Sequence, residues 1–537
     1  MVRLISLLCF LFAPALLGAA EGLLVQRASR PFMAEGTIEA LKPWETPIEG
    51  FFVRTHHNTM PITFDDSWAI SFEGLLTSPR RISVKQLKAM PQQSFHAVLE
   101  CSGNGRGLFN PPVSGMQWKR GAVGNGEWTG VPLRDILKSL SIKPAAKFMT
   151  VEGYDDPVVP SAAKFVRSIP LELALETNAI LAVRMNRVPI PLAHGGPVRL
   201  VLPNIYGQNW VKWVNKITFG DAPDSRSYAS KAYRIPTRSV KPGEAWDAVK
   251  DGRPVERIKV QTILTAPLQD EKVQPGVYLV EGKAFSGHAA IKSVEISMDG
   301  GNSWAVAKVS PRKNYSWQAF EYPVNVAEGI KYQVMARATD ESGNSQPLEQ
   351  EWNPKGYLYN AVDRLSFEGN SQGAILADGM RSVRTHCVTC HSSEIIEQQN
   401  LDKSGWMATV KKMADYGLNL DSAESEKIAA ALAARPKDTN IFGQGSPIVD
   451  LSAMPGQLVP ASSLKGRPRH GAAVFSKYCA ACHGAMAEGQ IGPRLRGRLI
   501  TEAVFWTTVN HGKQKMPAFA DSLGARDLAD IKAWLAR

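Results

Sequence analysis

Short runs of alternating apolar and polar residues fill the middle of the chain, from about residue 255 to residue 353. Residues 277–282 and 332–338 are two such runs, and turn sequences such as Asp299-Gly300-Gly301-Asn302 lie between them. Alternation with a period of two places every second side chain on the same face of a strand. The pattern therefore predicts an antiparallel β-sandwich in this part of the chain.

Other patterns occur on either side of this region. Residues 95–99, FHAVL, are typical of a buried strand, whereas residues 422–434 and 525–535 have the apolar spacing of helices. Residues 240–257 and 443–468 are rich in Pro, Gly and charged residues or Ser, which predicts linkers. A chain of 537 residues is too long for one hydrophobic core, so we expect three or four domains.

The first twenty residues differ from the rest of the chain. They contain one arginine, a continuous apolar run over residues 4–17 and a small-residue ending at Ala20. This layout is typical of a secretory signal peptide, and the alternative is a membrane anchor. The run is shorter than the roughly 18 apolar residues of a membrane span, which favours export as a soluble periplasmic protein.

Four of the six cysteines form two C-x-x-C-H motifs. The motifs are Cys387-Val-Thr-Cys390-His391 and Cys479-Ala-Ala-Cys482-His483. In c-type haem attachment both thiols bond the porphyrin and the following histidine binds the iron. One such motif alone could be a redox dithiol or half of a zinc site. Two motifs, each with its histidine in an exported chain, predict two haem c groups.

The second motif is followed by Gly492-Pro493, Met516-Pro517 and the helical pattern of residues 525–535. This order resembles a class I cytochrome c domain, in which the methionine of a Met-Pro turn binds the far side of the iron. The resemblance implies that His483 and Met516 are the axial ligands. The alternative for Met516 is packing in a core, although a glycine- and lysine-bounded loop is not a core pattern.

The first motif is followed by Trp406-Met407 and by Lys411-Lys412-Met413. This part resembles the small cytochrome subunit of bacterial sulfite dehydrogenases. The resemblance implies His391 as one axial ligand and Met413 as the other, with Met407 and Met454 as rival candidates.

The net charge of +12 is concentrated near the C-terminus. Residues 464–537 contain twelve lysines and arginines against five acidic residues. Arg494, Arg496, Arg498, Lys513 and Lys515 surround the second haem motif. Such a group is either a solvated rim or a docking face for an acidic electron-transfer partner. Because the basic region coincides with a haem motif, we expect no nucleic-acid binding.

One further cysteine, Cys101, follows the strand-like residues 95–99 and precedes Ser102-Gly103-Asn104-Gly105-Arg106. A lone cysteine is usually an inert buried thiol, but these glycines favour a tight loop that directs the thiol into a cleft. Around this loop, residues 51–56, 128–133, 168–171, 194–199 and 211–213 carry motifs in a fixed order. Together they resemble the sulfite oxidase family of molybdenum enzymes over about residues 45–235.

The resemblance implies a molybdopterin cofactor whose metal is bound by the Cys101 thiolate, because high-valent molybdenum needs a strong anionic donor. The implied cofactor contacts are Arg54, His56, Asp155, His194, Arg199 and Lys212. Cations at Arg199 and Lys212 suit a phosphate, and the alternative for both is ordinary surface charge. The predicted sandwich also resembles this family's immunoglobulin-like dimerisation domain, which implies a possible homodimer.

For the substrate, the resemblance implies Arg54, Arg106 and Tyr233 around the open face of the metal. Guanidinium groups suit the geometry and charge of sulfite. The family's further arginine is absent from Ser286-Gly287-His288-Ala289-Ala290, and either His288 or Lys292 is a candidate replacement.

These observations together predict an exported sulfite dehydrogenase that passes electrons through two haems to an acceptor such as cytochrome c. The expected domains are a signal peptide (1–20), an α+β sulfite-oxidase-type molybdopterin domain (21–245), an immunoglobulin-like β-sandwich (255–355) and two all-α cytochrome c domains (365–440 and 464–537). The alternatives are a related molybdenum enzyme for another oxyanion or a sulfoxide, and a non-enzymatic dihaem carrier.

Overall fold

The computed structural model describes residues 22–57, 66–157, 161–388, 394–435, 468–483, 486–488, 495, 509 and 525–535. Several sequence predictions concern residues outside this set: the signal peptide, Cys390, His391, Met454, Met516 and the basic residues Arg494, Arg496, Arg498, Lys513 and Lys515. For Cys482 only the backbone is described.

The first part of the chain forms an α+β unit built on two five-stranded sheets. Its strands are β1 (Leu24–Ser29), β2 (Phe32–Gly36), β3 (Ala69–Gly74), β4 (Arg80–Ser83), β5 (Gln93–Glu100), β6 (Val123–Pro132), β7 (Phe148–Gly153), β8 (Val166–Pro170), β9 (Ile180–Met185), β10 (Val188–Pro189), β11 (Arg199–Val201), β12 (Val214–Gly220), β13 (Arg234–Pro236) and β14 (Gly252–Pro254). Its helices are α1 (Ile38–Leu41), α2 (Val84–Ala89), α3 (Leu133–Lys138), α4 (Leu171–Glu176) and α5 (Ser227–Ser230).

The two sheets differ in strand direction. One has the order β4-β3-β12-β7-β8, in which β3 and β12 are parallel and the other pairs are antiparallel. The other has the antiparallel order β10-β9-β6-β5, with β11 also paired to β9. The hairpins β1-β2 and β13-β14 lie outside these sheets.

Strand β5 carries the predicted FHAVL run, and its last six residues are all buried. Both faces are buried because Phe95, Ala97 and Leu99 pack in the core of the first unit and Val98 packs in an apolar cluster shared with the next domain. A loop of that domain lies along the free edge of β5. The amide of Val98 donates to the carbonyl of Tyr315, and the amide of Tyr315 donates to the carbonyl of His96, each over 3.0 Å. A strand that is buried on both faces has a nearly continuous apolar sequence, as residues 95–99 do. Because Cys101 directly follows this strand, it lies at the interior end of β5.

The predicted β-sandwich is confirmed. Its strands are β15 (Gln261–Ala266), β16 (Glu271–Val273), β17 (Gly276–Phe285), β18 (Ile291–Ser297), β19 (Ala305–Val306), β20 (Lys308–Val309), β21 (Gln318–Val326), β22 (Lys331–Asp340) and β23 (Asp363–Gly369). They form the sheets β15-β17-β21-β20 and β16-β23-β22-β18-β19 around a shared apolar core. Because β23 pairs with β16 and β22, the sandwich ends at Gly369, beyond the expected 355 and past the expected start of the first cytochrome domain at 365.

Residues 240–257, expected to be a linker, instead fold onto the first unit. β14 pairs with β13, and Val240 and Val255 are buried. The polar residues between them satisfy one another locally, since Asp247 accepts from the amides of Val249 and Lys250. The linker prediction for residues 240–257 is therefore wrong, because their polar side chains form local hydrogen bonds within a folded turn.

The first unit and the sandwich share an apolar cluster and several polar contacts, among them one indole hydrogen bond and one ion pair. The cluster contains Leu41, Val98, Val123, Tyr206, Ile235, Val255, Ile258, Ile263, Phe285, Trp317 and Leu358. The indole of Trp317 donates to the carbonyl of Trp44 over 2.8 Å. Arg120 of the first unit forms an ion pair with Asp363 of β23, which raises the pKa of the guanidinium.

The remaining described elements are helices. They are α6 (Ser371–His386), α7 (Glu394–Glu397), α8 (Lys403–Ala414), α9 (Ser422–Ala434), α10 (Pro468–Tyr478), α11 (Ala480–His483) and α12 (Ala525–Leu535). The helices predicted over 422–434 and 525–535 are confirmed as α9 and α12. None of the described helices is long and apolar enough to span a bilayer.

Helix α6 starts directly behind the sandwich. Strand β23 ends at Gly369, and the side chain of Asn370 caps the helix by accepting from the amide of Gly373 over 2.8 Å. Arg381 of α6 forms an ion pair of 3.4 Å with Glu271 of β16. The first helical unit is thus docked against the sandwich.

The Arg120–Asp363 pair generates a stability prediction. Asp363 also accepts from the amides of Leu264 (2.7 Å) and Arg364 (3.1 Å). We expect Asp363→Ala to lower the free energy of unfolding by about 3 kcal/mol, because it leaves a largely buried arginine and an amide without their acceptor. Urea denaturation followed by tryptophan fluorescence measures this change.

The matched control is Asp66→Ala. Asp66 pairs with Lys88 at the surface, where the two side chains are 56% and 49% exposed. We expect a loss below about 1 kcal/mol there. Equal losses in the two variants would contradict a structural role for the tie between the domains.

Candidate functional site

A cavity opens beyond the carboxyl end of β5, and the space between its walls is about 650 Å³ when counted out to its open mouth. It is lined by Phe52, Arg54, His56, Leu99, Cys101, Asp155, Phe165, Ala193, His194, Arg199, Gly207, Gln208, Trp210, Lys212, Trp213 and Tyr233. Eight of these residues were singled out from sequence alone: Arg54, His56, Cys101, Asp155, His194, Arg199, Lys212 and Tyr233. Residues almost 180 positions apart along the chain are thus brought to one place.

Cys101 lies at the start of a tight loop, defined here as the cysteine loop (residues 101–106). The amide of Cys101 donates to the carbonyl of Ala122 (2.9 Å), and the amide of Asn104 donates to the carbonyl of Cys101 (2.8 Å). Gly105 has a φ of 77°, a conformation that favours glycine. Burial raises the pKa of the Cys101 thiol, while the nearby Arg54 and Arg106 oppose that shift. A bound cation would stabilise the thiolate further.

Arg54, His56 and Tyr233 form one wall beside the thiol. Nε2 of His56 and the hydroxyl of Tyr233 are 2.5 Å apart. The pKa of His56 is well below its ordinary value because of burial and then the charge of Arg54. Burial also raises the pKa of Tyr233. At neutral pH the phenol therefore keeps its proton and the imidazole is uncharged, so the imidazole can accept the phenol's hydrogen bond.

Arg106 lies beside this cavity and does not line it. Its Nε donates to the carbonyl of Lys355 (3.0 Å) and its Nη1 to the carbonyl of Met116 (3.2 Å). The side chain is buried in a slot between glycines, since a Cβ at Gly103 or Gly356 would lie 2.8 Å from it. Arg106 therefore acts on the cavity through its charge and not through a direct lining contact.

The opposite end of the cavity is a pocket of cations. Lys212 Nζ donates to Thr55 Oγ1 and to the carbonyl of Ala193, both over 3.1 Å. Arg199 donates to the carbonyl of His194 over 2.8 Å, and both residues are buried. Burial lowers the pKa of Arg199 to about 9 and that of His194 to about 3, and it holds the pKa of Lys212 well below its ordinary value.

Asp155 is the one carboxylate among the described residues that line the cavity. Burial raises its pKa to about 7, and the charge of Lys212 opposes that shift. With His194 neutral and Asp155 held near its titration point, the excess charge of the cavity is positive. Such an environment favours an anion carrying more than one charge.

Two residues at the cavity adopt a left-handed backbone conformation. Trp213 has a φ of 51° and Tyr233 a φ of 57°. Conformations of this kind cost about 1–3 kcal/mol in residues other than glycine and occur preferentially at functional sites. The indole of Trp213 is fixed in turn by donation to the carbonyl of Leu192 over 2.8 Å.

The sequence did not reveal several neighbours of the site. Gln208 lines the cavity, Arg167 lies 5.2 Å from the ring centroid of Tyr233, and Tyr357 stacks on Tyr233. Gln208 stands four residues before Lys212, so proximity to a recognised motif could have indicated it. Arg167 directly precedes the motif at residues 168–171, so proximity could have indicated it as well, whereas Tyr357 lies in none of the motifs.

His288, a candidate replacement for the family's further arginine, lines a different cavity of about 840 Å³, also counted out to its open mouth, together with Lys259 and Glu351. Lys292, the other candidate, lies on β18 of the sandwich and does not line the Cys101 cavity among the described residues. The described structure therefore brings neither of these residues into the Cys101 cavity.

The two haem motifs follow helices that cross a partner helix closely. Cys387 follows α6, which packs on α9, and it contacts an apolar cluster that contains Trp406 and also Met407. Met413, the predicted axial ligand, is partly exposed and outside that cluster among the described residues. The axial role of either methionine stays a prediction.

In the second unit, Cys479 and His483 are both buried, and the amide of His483 donates to the carbonyl of Cys479 over 3.0 Å. The two residues therefore lie one helical turn apart on one face. Cys479 belongs to an apolar cluster with Phe475, whose ring centroid lies 4.7 Å from that of Trp534 on α12.

Comparison with known proteins agrees with this geometry. The family "Oxidoreductase molybdopterin binding domain" matches residues 57–228, and "Mo-co oxidoreductase dimerisation domain" matches residues 253–368. Sulfite oxidase of Gallus gallus is 30% identical over 356 residues, which are 63% of this chain and 76% of the chicken protein. The chain belongs to the sulfite oxidase family.

Two further members show how far the similarity extends. Mitochondrial sulfite oxidase of Rattus norvegicus is 30% identical over 63% of this chain, and the match spans 64% of the rat protein, less than two thirds of its length. The crystal structure of the sulfane dehydrogenase SoxCD from Paracoccus pantotrophus is also similar, with a TM-score of 0.55 and 25% identity. The match covers 64% of this chain and 86% of the SoxCD chain. The chain is thus a molybdopterin oxidoreductase with a dimerisation domain.

The C-terminal part has a match of its own. The family "Cytochrome C oxidase, cbb3-type, subunit III" matches residues 466–535. This match fits a cytochrome fused behind the sulfite oxidase region.

The cavity fits the family's molybdopterin cofactor on structural grounds. Arg199 Nε and Gln208 Oε1 are buried without a hydrogen-bond partner among the described residues. Unpaired buried polar atoms are costly, so their presence on a cavity wall indicates groups that a ligand satisfies. Arg199 and Lys212 would hold a phosphate, and Cys101 would bind the metal.

Lys212 gives a test of this fit. We expect Lys212→Met to lower the bound molybdopterin on the order of tenfold under limiting cofactor, because a charge-assisted contact to phosphate is lost. The fold should persist, since removing a buried cation also removes its desolvation cost. Molybdenum analysis and the fluorescence of the released, oxidised pterin measure the occupancy.

Lys138→Met is the matched control, because Lys138 is 76% exposed and pairs only with Asp135 among the described residues. The control should load as the unaltered protein does. Full occupancy in Lys212→Met would place the cofactor's phosphate elsewhere.

Proposed function

We propose that this protein oxidises sulfite to sulfate at a molybdenum centre in the Cys101 cavity and passes the electrons through two c-type haems to an external acceptor. The observation that carries the proposal is the convergence of a buried thiol, an arginine, a tyrosine–histidine pair and a cationic pocket on one cavity. The thiol suits the metal, the arginine suits the anionic substrate, the tyrosine–histidine pair suits proton transfer, and the cationic pocket suits the phosphate of the cofactor.

The overall reaction consumes water: SO₃²⁻ + H₂O → SO₄²⁻ + 2H⁺ + 2e⁻. The bound molybdenum cofactor supplies two-electron oxygen-atom transfer, and the protein supplies its orientation and electrostatics. The Cys101 thiolate holds the metal. Arg54 and Arg106 offset the charge of the sulfite anion, Arg54 from the cavity wall and Arg106 from behind the cysteine loop.

Tyr233 and His56 handle protons beside the thiol. Without substrate the phenol donates its one proton in a hydrogen bond to Nε2 of His56, 2.5 Å away. When the sulfur oxyanion binds, the phenol donates to a substrate oxygen instead, and the Nε2–H tautomer of the uncharged His56 donates to the phenolic oxygen. The ring of Phe165 stacks on that of His56 with centroids 3.9 Å apart, which keeps bulk water from this side. A dry site strengthens every charge–charge contact within it.

Electrons leave singly through haems attached at Cys387 and Cys390 and at Cys479 and Cys482, with His391 and His483 on the irons. A shared helix crossing supports two cytochrome units. Gly379 of α6 lies against Ala431 of α9, and Gly471 of α10 lies against the backbone of Asp530 in α12. Each glycine stands eight residues before the first cysteine of its haem motif.

We further propose that the chain is exported to the periplasm and pairs as a homodimer through its sandwich. Val277 and Leu279 support the pairing, because they project from one face of β17 and are 78% and 45% exposed. The acceptor is a cytochrome c or a similar acidic redox protein that docks on the basic C-terminal face. Nucleic acid is not a partner.

A second candidate substrate follows from the similarity to a sulfane dehydrogenase structure. Sulfane sulfur would be oxidised by the same centre, and the further alternatives are that the centre acts on another oxyanion or on a sulfoxide. A steady-state assay of sulfite, thiosulfate and a sulfoxide with oxidised or reduced cytochrome c distinguishes these substrates. Metal analysis separates all of them from a non-enzymatic dihaem carrier, which would contain iron and no molybdenum.

Cys101→Ser tests the metal ligand. We expect sulfite oxidation to fall at least about a thousandfold, because a hydroxyl donates poorly to molybdenum, while both haem spectra stay unchanged. Reduction of the haems by dithionite is the internal control. Turnover near that of the unaltered protein would remove Cys101 from the metal site.

Ionic strength tests the exit of electrons. At saturating sulfite we expect transfer to external cytochrome c to slow several-fold between about 10 mM and 300 mM salt, since docking between opposite charges is screened. Stopped-flow reduction of the protein's own haems by sulfite should not change, because that step needs no docking. Salt-independent external transfer would contradict the basic docking face.

A further inference from the structure

One segment of the chain returns from the sandwich to the molybdenum site. It consists of residues 353–359, between β22 and β23, and is called the return segment here. The amide of Leu358 donates to the carbonyl of Ser102 (2.9 Å), and the carbonyl of Lys355 accepts from Arg106 Nε (3.0 Å). A Cβ at Gly105 would lie 2.6 Å from Tyr359, so the two segments touch closely. The cysteine loop thus has the return segment as its outer wall.

Tyr357 is the residue of the return segment that lies between two groups of the site. Its ring stacks on that of Tyr233, with centroids 5.5 Å apart and an angle of 22° between the planes. The guanidinium carbon of Arg106 lies 4.9 Å from the centroid of the same ring, a cation–π contact. One aromatic side chain therefore fixes the position of both a cation and a phenol next to Cys101.

The backbone of Tyr357 is itself held from both sides by Asn353. The amide of Tyr357 donates to Asn353 Oδ1 (3.2 Å), and Asn353 Nδ2 donates to the carbonyl of Tyr357 (2.9 Å). This double contact fixes the backbone from which the ring projects, and the stacking on Tyr233 and the contact with Arg106 fix the ring itself. The preorganised placement of a polar group is what a binding site for a small anion requires.

The phenolic group of Tyr357 lies in a strongly cationic setting. Arg106, Arg54 and Arg167 act on it electrostatically, as does the thiol of Cys101. Burial nevertheless raises the pKa of Tyr357, so the hydroxyl keeps its proton. A protonated phenol near three guanidinium groups adds one hydrogen-bond donor for an anion. Because the phenol is uncharged, it does not repel the anion as a phenolate would.

The described cavity lining includes Tyr233 and not Tyr357, which stacks on Tyr233. We propose that the substrate end of the site extends past Tyr233 to Tyr357, whose hydroxyl donates a hydrogen bond to an oxygen of the sulfur oxyanion while its ring positions Arg106 and Tyr233. The inference rests on the proposed function and deepens it. It assigns to the return segment a direct part in recognising an anionic, oxygen-bearing substrate. A neutral sulfane sulfur has no oxygen to accept this bond, so the contact favours sulfite.

The test is Tyr357→Phe in the holoenzyme, which keeps both ring contacts and removes only the hydroxyl. We expect the KM for sulfite to rise about tenfold or more, with a smaller change in kcat, because a hydrogen bond to a charged partner is lost. The Kd of sulfate for the oxidised holoenzyme, measured by titration calorimetry, should rise by a similar factor. This second readout does not depend on turnover.

Tyr359→Phe is the matched control, since Tyr359 belongs to the same segment but its ring faces Phe109, with centroids 5.6 Å apart. It should leave KM and Kd unchanged. Tyr357→Leu removes the ring as well, and we expect kcat to fall in addition, because Arg106 and Tyr233 lose the surface that positions them.

The outcomes separate the inference from the function on which it rests. If the unaltered protein oxidises sulfite and binds sulfate, but Tyr357→Phe matches it in both KM and Kd, the substrate contact is refuted and the proposed function stands. If Tyr357→Phe and Tyr359→Phe weaken sulfate binding equally, the effect belongs to the segment and the assignment to Tyr357 is likewise refuted. If the unaltered protein neither oxidises sulfite nor binds sulfate, both proposals fail together.

Discussion

The burial of positive charge around one cavity is the constraint on which the rest of the structure depends. Arg199, Lys212 and Arg54 line the same space, and Asp155, with a pKa raised to about 7, is the one carboxylate among the described lining residues. Cations without matching acids are costly to bury. The arrangement is stable only with an anion in place, so cofactor binding and the integrity of this region are linked.

To keep these cations close together, the segments that line the cavity must be held in fixed positions. The thiol follows a strand whose two faces are both covered, one by the first unit's core and one by the apolar cluster shared with the sandwich. On the open side, the return segment packs on the cysteine loop through backbone hydrogen bonds. The sandwich, which matches a dimerisation-domain family, therefore also contributes a wall of the candidate site, and changes in its packing should alter the surroundings of Cys101.

Much of the site could be predicted from sequence because its residues occur in motifs that keep their order along the chain. The glycines that follow Cys101 indicated that it lies in a tight loop. Glycines near Arg199 and tryptophans near Lys212 belong to the motifs that indicated these two cations. Tyr357 could not be found this way, since it lies in none of these motifs, and Arg167 was not singled out although it directly precedes the motif at residues 168–171. Tyr357 contacts Tyr233 and Arg106 across more than 120 positions and Arg167 contacts Tyr233 across 66, and only the folded chain reveals these contacts.

The contrast between local sequence patterns and contacts made only in the folded chain also explains where the observed fold differs from the predicted one. Alternation revealed most sandwich strands, but β23 is separated from β22 by the return segment, so the domain extends past its expected end. Residues 240–257 look like a linker because their polar side chains bond to neighbouring backbone groups. Arg106 was correctly associated with the cysteine loop by its position, yet its slot between glycines places it behind the cavity wall.

The direct passage from β23 into α6 has a kinetic consequence. With Asn370 capping the helix immediately after the strand and Arg381 bound to Glu271, the first helical unit is tethered at a fixed place on the sandwich. A tethered redox partner meets its donor at an effective concentration that dilution cannot change. If this unit carries the first haem, as proposed, the first electron transfer from the molybdenum centre is unimolecular, so its rate should be the same in a dilute and in a crowded compartment.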